Sequence, residues 1–212
     1  MNATKGLTGL LAEIRSCRVC VERPLGRPLP HQPRPIIRAS ATARIAICGQ
    51  APGTRVHASG VPFTDPSGDR LRDWMGVSPE EFYDEGRIAI VPMGFCFPGL
   101  DAKGSDLAPR LECARLWHAG VFEQMPQLDL LLLVGGYAQK WHLQSVDSTE
   151  ANKLGAVSDT VRNWRRHLER PGQAPALPLP HPSWRNSGWL KANPWFAAEV
   201  LPELRRRVRN LL

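Results

Sequence analysis

Two segments of this chain concentrate the residue types that ligand binding and bond cleavage require. The first, Gly49 to Leu71, reads GQAPGTRVHASGVPFTDPSGDRL. Its glycines, Gly49 and Gly53, allow a tight turn whose backbone amides can approach a bound group closely, although a plain strand-to-helix turn uses glycine in the same way. Phe63 follows in a Gly-Val-Pro-Phe run, where an aromatic face beside a pocket could stack on an extruded base. Asp65 lies two residues further on. It could orient water or stabilise positive charge on a sugar, and it could equally be the N-cap of a helix beginning near Ser67. Gln50 and His57 are the other polar candidates. The second segment, Pro178 to Phe196, reads PLPHPSWRNSGWLKANPWF. His181, held between prolines, has a restricted backbone and a side chain free to enter a cleft. From there it could donate a hydrogen bond to a carbonyl oxygen that gains charge as a bond breaks. Trp184, Arg185, Asn186, Trp189, Lys191 and Trp195 mix cations with large apolar groups, which suits phosphate contacts and a wedge into a base stack. A loop of this composition also serves as ordinary core.

Apolar runs and turn signals supply the elements that must hold these segments. Arg44 to Cys48, Ile88 to Met93, Asp129 to Val134 and Leu177 to Leu179 read as strands. Helical spacing predicts helices at residues 5–16, 67–75, 110–124, 136–143 and 158–168. A further short helix follows the capping box of Ser78, Pro79 and Glu81. Asn193 should cap a C-terminal helix with Pro194 in its first turn, and Pro202 should kink or restart it. Between the turn at Gly53 and the helix near Ser67 a polar loop is expected. Strands alternating with helices imply an α/β fold, with a central, mostly parallel four-stranded sheet and helices on both faces. Ligands of such sheets bind beyond the carboxyl ends of the strands, where Gly49–Gly53 and His181–Ser183 both fall.

The 212 residues, 42 % of them hydrophobic, suffice for one substantial core and read as a single domain over 1–212. A formal charge of +7 favours a polyanionic partner. No apolar run approaches the roughly 20 residues that span a bilayer, and the start lacks the pattern of a secretory signal, so a cytoplasmic, soluble chain is expected. Five cysteines (Cys17, Cys20, Cys48, Cys96 and Cys113) without an export signal argue against a disulfide framework. They leave a metal site with one spare thiol, or scattered core thiols. Glu22 to Pro35 holds five prolines and must be an extended loop.

Taken in order, these motifs resemble the uracil-DNA glycosylase superfamily from roughly Leu7 to Phe196. A strand ends in a G-x-x-P-G-type turn (Gly49-Gln50-Ala51-Pro52-Gly53), a Pro-Phe segment follows (Pro62-Phe63), and a His-Pro-Ser motif comes last (His181-Pro182-Ser183). The similarity is greatest to the iron–sulfur branches, families 4 and 5. There a CxxC follows the first helix, a third cysteine ends the second strand and a fourth lies on the next helix, which are the places of Cys17, Cys20, Cys96 and Cys113 here. The resemblance implies a [4Fe–4S] cluster on these four thiolates, tying residues 1–40 to the sheet. The donor set alone suits zinc as well. Cys48, inside an apolar strand, reads as a buried spectator.

The same resemblance implies a monofunctional DNA N-glycosylase acting on DNA that contains uracil, monomeric and with no lysine placed to attack the sugar. Phe63 is then the base-stacking ring. Phe63-Thr64-Asp65 resembles the Phe-Thr-Gly-Asp segment of family 5 with one residue missing, which makes Asp65 the leading water-activating residue. His181 and Gln50 are the other catalytic candidates. Gly49, Ala51, Ser183 and Arg185 are substrate contacts, Arg185 matching a wedge residue of the single-strand-selective branch. Two departures stand out. The family 4 acid of the first motif is Gln50 here, and the family 4 asparagine that reads the uracil edge is Pro92, which shifts that task to backbone groups near Met93 and Gly94. The absent acid also supports an alternative, a non-catalytic protein of the same fold that binds damaged DNA. Some relatives trap DNA through a histidine after the third cysteine, and Phe97 to Leu111 contains none.

Overall fold

The computed structural model describes residues 6–143 and 156–212; residue 5 of the expected first helix lies outside them. Four short strands, β1 (Ile45–Cys48), β2 (Ile88–Ile90), β3 (Leu130–Val134) and β4 (Ala176–Leu179), form a sheet in the order β2-β1-β3-β4. All three pairings are parallel, which sharpens the expected mostly parallel sheet. β1 and β3 lie side by side at the centre, and their outer neighbours lie on opposite sides, so the strand order reverses between them. The carboxyl ends there open a crevice suited to a ligand.

Every strand residue is buried, because helices cover both faces. Alternate side chains divide between two cores. Ile45, Ile47, Leu130, Leu132, Leu177 and Leu179 point to one face, against Leu71, Trp74, Phe82, Trp164 and Leu204. Ala46, Cys48, Ala89, Leu131 and Leu133 point to the other, against Leu7, Leu11, Ile14, Val121 and Met125. The first face belongs to α4 (Pro66–Met75), α5 (Pro79–Phe82), α9 (Val157–Arg162), α10 (Trp164–Leu168) and α12 (Leu201–Leu211). The second belongs to α1 (Leu7–Arg15), α7 (Ala119–Glu123) and α8 (Gly136–Leu143), while the short α2 (Val19–Glu22) carries Cys20. Among the described residues no helix is long and apolar enough to cross a membrane.

Several elements depart from the sequence expectation for identifiable reasons. Residues 54–59, expected as loop, form helix α3 (Thr54–Ser59), stopped by Gly60 in the left-handed conformation. The expected helix 110–124 is α6 (Leu111–Cys113), a π-helical turn (Ala114–His118) and α7. The expected helix 158–168 breaks at Asn163 into α9 and α10. After His181 the supposed loop is helical, as a 3-10 turn (Trp184–Asn186) and α11 (Ser187–Ala192). Pro202, by contrast, restarts the last helix as expected. It stands in the first turn of α12, directly after a π-helical turn (Phe196–Val200), where a wider hydrogen-bond register absorbs its missing N–H.

Candidate active site

The Gly49 turn leaves the end of β1 and is pinned by the segment that follows β2. Met93 N–H donates to the Gly49 carbonyl and Gly94 N–H to the Gln50 carbonyl, both at 2.9 Å. Those amides are therefore spent on the turn. Beside the turn lies a cavity of about 90 Å³, whose polar rim includes Gln50, Asp65, Asp106 and His181 and whose apolar walls include Phe63 and Pro92. Gly49 and Ala51 line it as expected, whereas Met93 and Gly94 do not. Met93 instead packs into the core beneath the sheet. The position of the edge-reading asparagine is apolar here, with Ile36, Ile90 and Pro92 around it.

Phe63 is held in a conformation that its type seldom adopts. Its φ is +56°, the sole left-handed non-glycine residue among those described. Its carbonyl accepts hydrogen bonds from Arg72 (3.2 Å) and from the Tyr83 hydroxyl (3.2 Å), which also donates to the Pro62 carbonyl at 2.9 Å. The ring stands edge-on to Phe82 at 5.8 Å, and its Cζ lies 3.6 Å from where a Cβ on Gly49 would stand. Strain of this kind persists where surrounding contacts over-determine it, and it concentrates at functional sites. Gly68 makes the arrangement possible, since a Cβ there would sit 1.8 Å from the Phe63 carbonyl oxygen.

Asp65 stands both at a helix start and at the pocket. It is the N-cap of α4, its Oδ1 accepting from Gly68 N–H at 3.1 Å with Pro66 in the first turn, and it also lines the pocket. His57, the other polar candidate of this segment, lies elsewhere. Its ring packs at a tilt against His31 (4.4 Å) and Phe97 (5.6 Å), beside the Pro-rich loop. Arg34, from that loop, donates to the His57 and Ala58 carbonyls and so closes the end of α3.

His181 follows β4. Its Nδ1 receives Ser183 N–H at 3.2 Å, its carbonyl accepts from the Asn186 amide at 2.7 Å, and Arg70 grips the Ser183 carbonyl at 3.0 Å. Burial lowers the imidazole below its ordinary value, against the opposing pull of Asp65 and Asp106. A neutral ring whose Nδ1 accepts a hydrogen bond carries its one proton on Nε2, which makes Nε2 a donor at the pocket. Outside the pocket a groove of about 590 Å³ runs past Arg55, Trp184 and Arg185, with Ser183 also on its wall. Trp184 is 73 % exposed and Arg185 lies over its ring at 6.0 Å. A large apolar group presented to solvent beside cations suits insertion into a base stack.

Asp106 was missed in the sequence. Its loop carries Gly99 and Gly104 at positive φ, a turn signal, but no periodicity that would have aimed the carboxylate at the Gly49 turn. A wider hollow of about 710 Å³, lined by His118, His142 and Arg170, lies on the other face of the sheet. Burial holds His118 and His142 neutral, at about 4 and about 3, and among the described residues no acid lines that hollow.

The four cysteines expected as ligands adjoin one another. Cys20 and Cys113 share a thiol hydrogen bond, and Cys96 feels both Cys17 and Cys20. That bond from Cys113 draws the Cys20 thiol down to about 7, while burial pushes Cys96 up to about 12. Phe95 N–H donates to the Cys113 sulfur at 3.4 Å, a contact suited to a thiolate. Among the described residues, no three His, Cys, Asp or Glu side chains close around the position of a single metal ion. Cys48 is fully buried in the sheet and its thiol is pushed strongly up by burial, as expected of a spectator. Next to the cysteines Glu112 pairs with Arg110 at 2.6 Å and accepts from Leu25 N–H at 2.9 Å, while Arg110 donates to the Arg27 carbonyl at 2.7 Å. These contacts fasten the Pro-rich loop to α6.

A pocket at the carboxyl ends of parallel strands, with a strained aromatic on one side and a neutral histidine donor on another, follows the motif order of one known family. The sequence model of the uracil DNA glycosylase superfamily matches residues 37–205, a span that takes in the pocket from Gly49 to His181. The chain belongs to the uracil DNA glycosylase superfamily.

Proposed function

We propose that the protein is a uracil-DNA glycosylase of the iron–sulfur type, similar to families 4 and 5, which extrudes uracil and hydrolyses its N-glycosidic bond. The observation that carries this reading is the meeting of Phe63, Asp65 and His181, from two distant segments, around one cavity. The basic side chain of Arg55, on the groove wall, meets DNA phosphates. Extrusion costs a few kcal/mol, least for a mispaired base. Trp184 and Arg185 fill the vacated stack. Phe63 lies on the base, and its held backbone means that little ordering is left for the moment of binding.

As the glycosidic bond stretches, the sugar gains positive charge and the base negative charge. His181 Nε2–H donates to the base oxygen that accumulates this charge, and because the ring is neutral it does so without forming a buried ion pair. Asp65 places negative charge beside the sugar. Gln50, whose amide reaches the Leu107 carbonyl at 3.4 Å, holds the turn to the neighbouring loop in place of performing acid–base chemistry. Among the described residues no lysine lines the pocket or the groove. The proposed enzyme is monofunctional and leaves an abasic site.

Cys17, Cys20, Cys96 and Cys113 would hold a [4Fe–4S] cluster, with zinc as the alternative. Hydrolysis needs no electron transfer, so the bound group supplies a covalent tie between the Pro-rich loop and the sheet. Iron, sulfide and zinc content of anaerobically purified protein distinguishes the two.

The test is alkaline strand cleavage of a labelled oligonucleotide carrying one deoxyuridine, run in EDTA with wild type and His181→Ala. Loss of one such donor corresponds to about 2.7–4 kcal/mol, so the variant should be slower by about a hundredfold or more. Near-normal single-turnover rates in the variant would remove His181 from the mechanism. Tight binding of uracil-DNA without any cleavage would favour a non-catalytic damage-binding protein.

A further inference from the structure

One acidic side chain at the pocket mouth, Asp106, has no part in the scheme above. We propose that Asp106 is the carboxylate that takes the proton from the attacking water, a role that rests on the glycosylase reading. Gln50, Asp65, Ser67, Asp106 and His181 line both the cavity and the outer groove, so they ring the opening between the two. A nucleotide with its base in the cavity and its phosphates in the groove has its sugar at that opening. Two carboxylates therefore flank the reacting carbon. Asp65 commits Oδ1 to capping α4. Among the described residues, no side-chain hydrogen bond or ion pair engages the Asp106 carboxylate.

Asp106 is also firmly placed. Its backbone pairs with Leu100 in an antiparallel bridge, and Leu107 N–H returns to the Gly99 carbonyl at 3.0 Å. Asp101 Oδ1 accepts from Lys103 N–H and Ser105 N–H, each at 2.8 Å, closing the loop between them. Gln50 fastens this loop to the Gly49 turn through the Leu107 carbonyl. The Asp106 Oδ2 atom consequently faces Gly53, 3.5 Å from where a Cβ would stand. The turn that carries Gln50 is thus approached by an acid from another loop. Partial burial raises the Asp106 carboxyl above its ordinary range, with Asp65 adding to the rise and Arg185 and His181 opposing it. A weaker acid is a better proton acceptor at neutral pH.

The step balances as follows. The water oxygen bonds to C1′ of the sugar as the bond from C1′ to the base nitrogen breaks. The electron pair of that bond leaves with the base, whose charge His181 Nε2–H stabilises. One water proton passes to Asp106, which later yields it to solvent, and the base anion takes up a proton on release. No oxidant, reductant or metal-bound water is needed.

The experiment compares single-turnover cleavage by wild type, Asp106→Asn and Asp106→Glu on a uracil oligonucleotide between pH 4.5 and 8.5. Binding to a duplex with a tetrahydrofuran abasic analogue is measured alongside, as a check on folding and grip. Wild-type rates should rise with pH through the ionisation of Asp106, which Arg185, His181 and Asp65 face. Asp106→Asn should lose that rise and fall by about a hundredfold or more, with analogue binding kept, and Asp106→Glu should recover part of the rate. Wild-type cleavage matched within severalfold by Asp106→Asn, with the same pH profile, overturns the assignment while leaving the glycosylase reading intact. Absence of base release by wild type itself overturns both.

Discussion

Replacing Gly68 by alanine tests whether the held Phe63 backbone is what makes the pocket. A Cβ at Gly68 would lie 1.8 Å from the Phe63 carbonyl oxygen and 2.6 Å from its carbonyl carbon, where contacts below 3.0 Å essentially never occur. Retreat from 1.8 Å to 3.0 Å moves one of the two backbones by 1.2 Å. That shift breaks the bond from Gly68 N–H to Asp65, a cap worth about 1 kcal/mol. It also disturbs the donors Arg72 and Tyr83 on the Phe63 carbonyl, at about 1 kcal/mol each. The sum is a loss of about 2–4 kcal/mol in urea unfolding. Base cleavage should fall by about a hundredfold, because a misplacement of about 1 Å at a reacting centre has that effect. Gly188 is the control: a Cβ there meets nothing within 4 Å, so Gly188→Ala should leave cleavage unchanged. Equal stability and equal single-turnover rates for the two variants would refute the reasoning.

Three further outcomes follow from the same contacts. Tyr83→Phe removes one of the two donors on the Phe63 carbonyl, so thermal unfolding should show a loss of about 1 kcal/mol and cleavage a drop of severalfold. His118 is buried, bonded to the Pro92 carbonyl at 3.0 Å and pushed down to about 4 by burial. The unfolded chain therefore binds the proton first. Stability from this group is full above about pH 6.5 and falls by roughly 3 kcal/mol as pH drops toward 4, visible as a slope in ΔG of unfolding that His118→Gln flattens. Glu112→Gln strands the Arg110 charge and should cost about 2 kcal/mol in chemical unfolding, below the figure for a fully buried pair because Arg110 keeps 15 % exposure. The variant should also expose the Pro-rich loop to limited proteolysis.

Much of the fold was legible because it is written in local patterns. The strand cores at Ile45–Cys48 and Leu130–Val134 are continuous apolar runs, and the Ser78–Glu81 capping box forms as its spacing predicts. Phe63, Asp65 and His181 were legible because each sits in a short motif. Helix α3 was not, though Gly60 supplied a stop signal, because six residues carry too little periodicity to outweigh a polar composition. The π-helical turns leave no signal in spacing at all. Asp106, Gly68 and Arg34 act across the chain: a carboxylate aimed at Gly53, a glycine fitted under Phe63, and a guanidinium closing α3. Such roles depend on which surfaces meet after folding. The amides of Met93 and Gly94 show the converse. Backbone groups near these residues were expected to read a base, and the fold spends both N–H groups on the Gly49 turn.

The most direct measurement is detection of the free base itself. Purified protein in EDTA is incubated with an oligonucleotide holding one isotopically labelled deoxyuridine, and the small-molecule fraction is separated by chromatography and mass spectrometry. The account predicts intact labelled uracil, released in equal amount with abasic sites, and little release by His181→Ala. Labelled nucleotide in place of base, or no release despite tight binding, would contradict it.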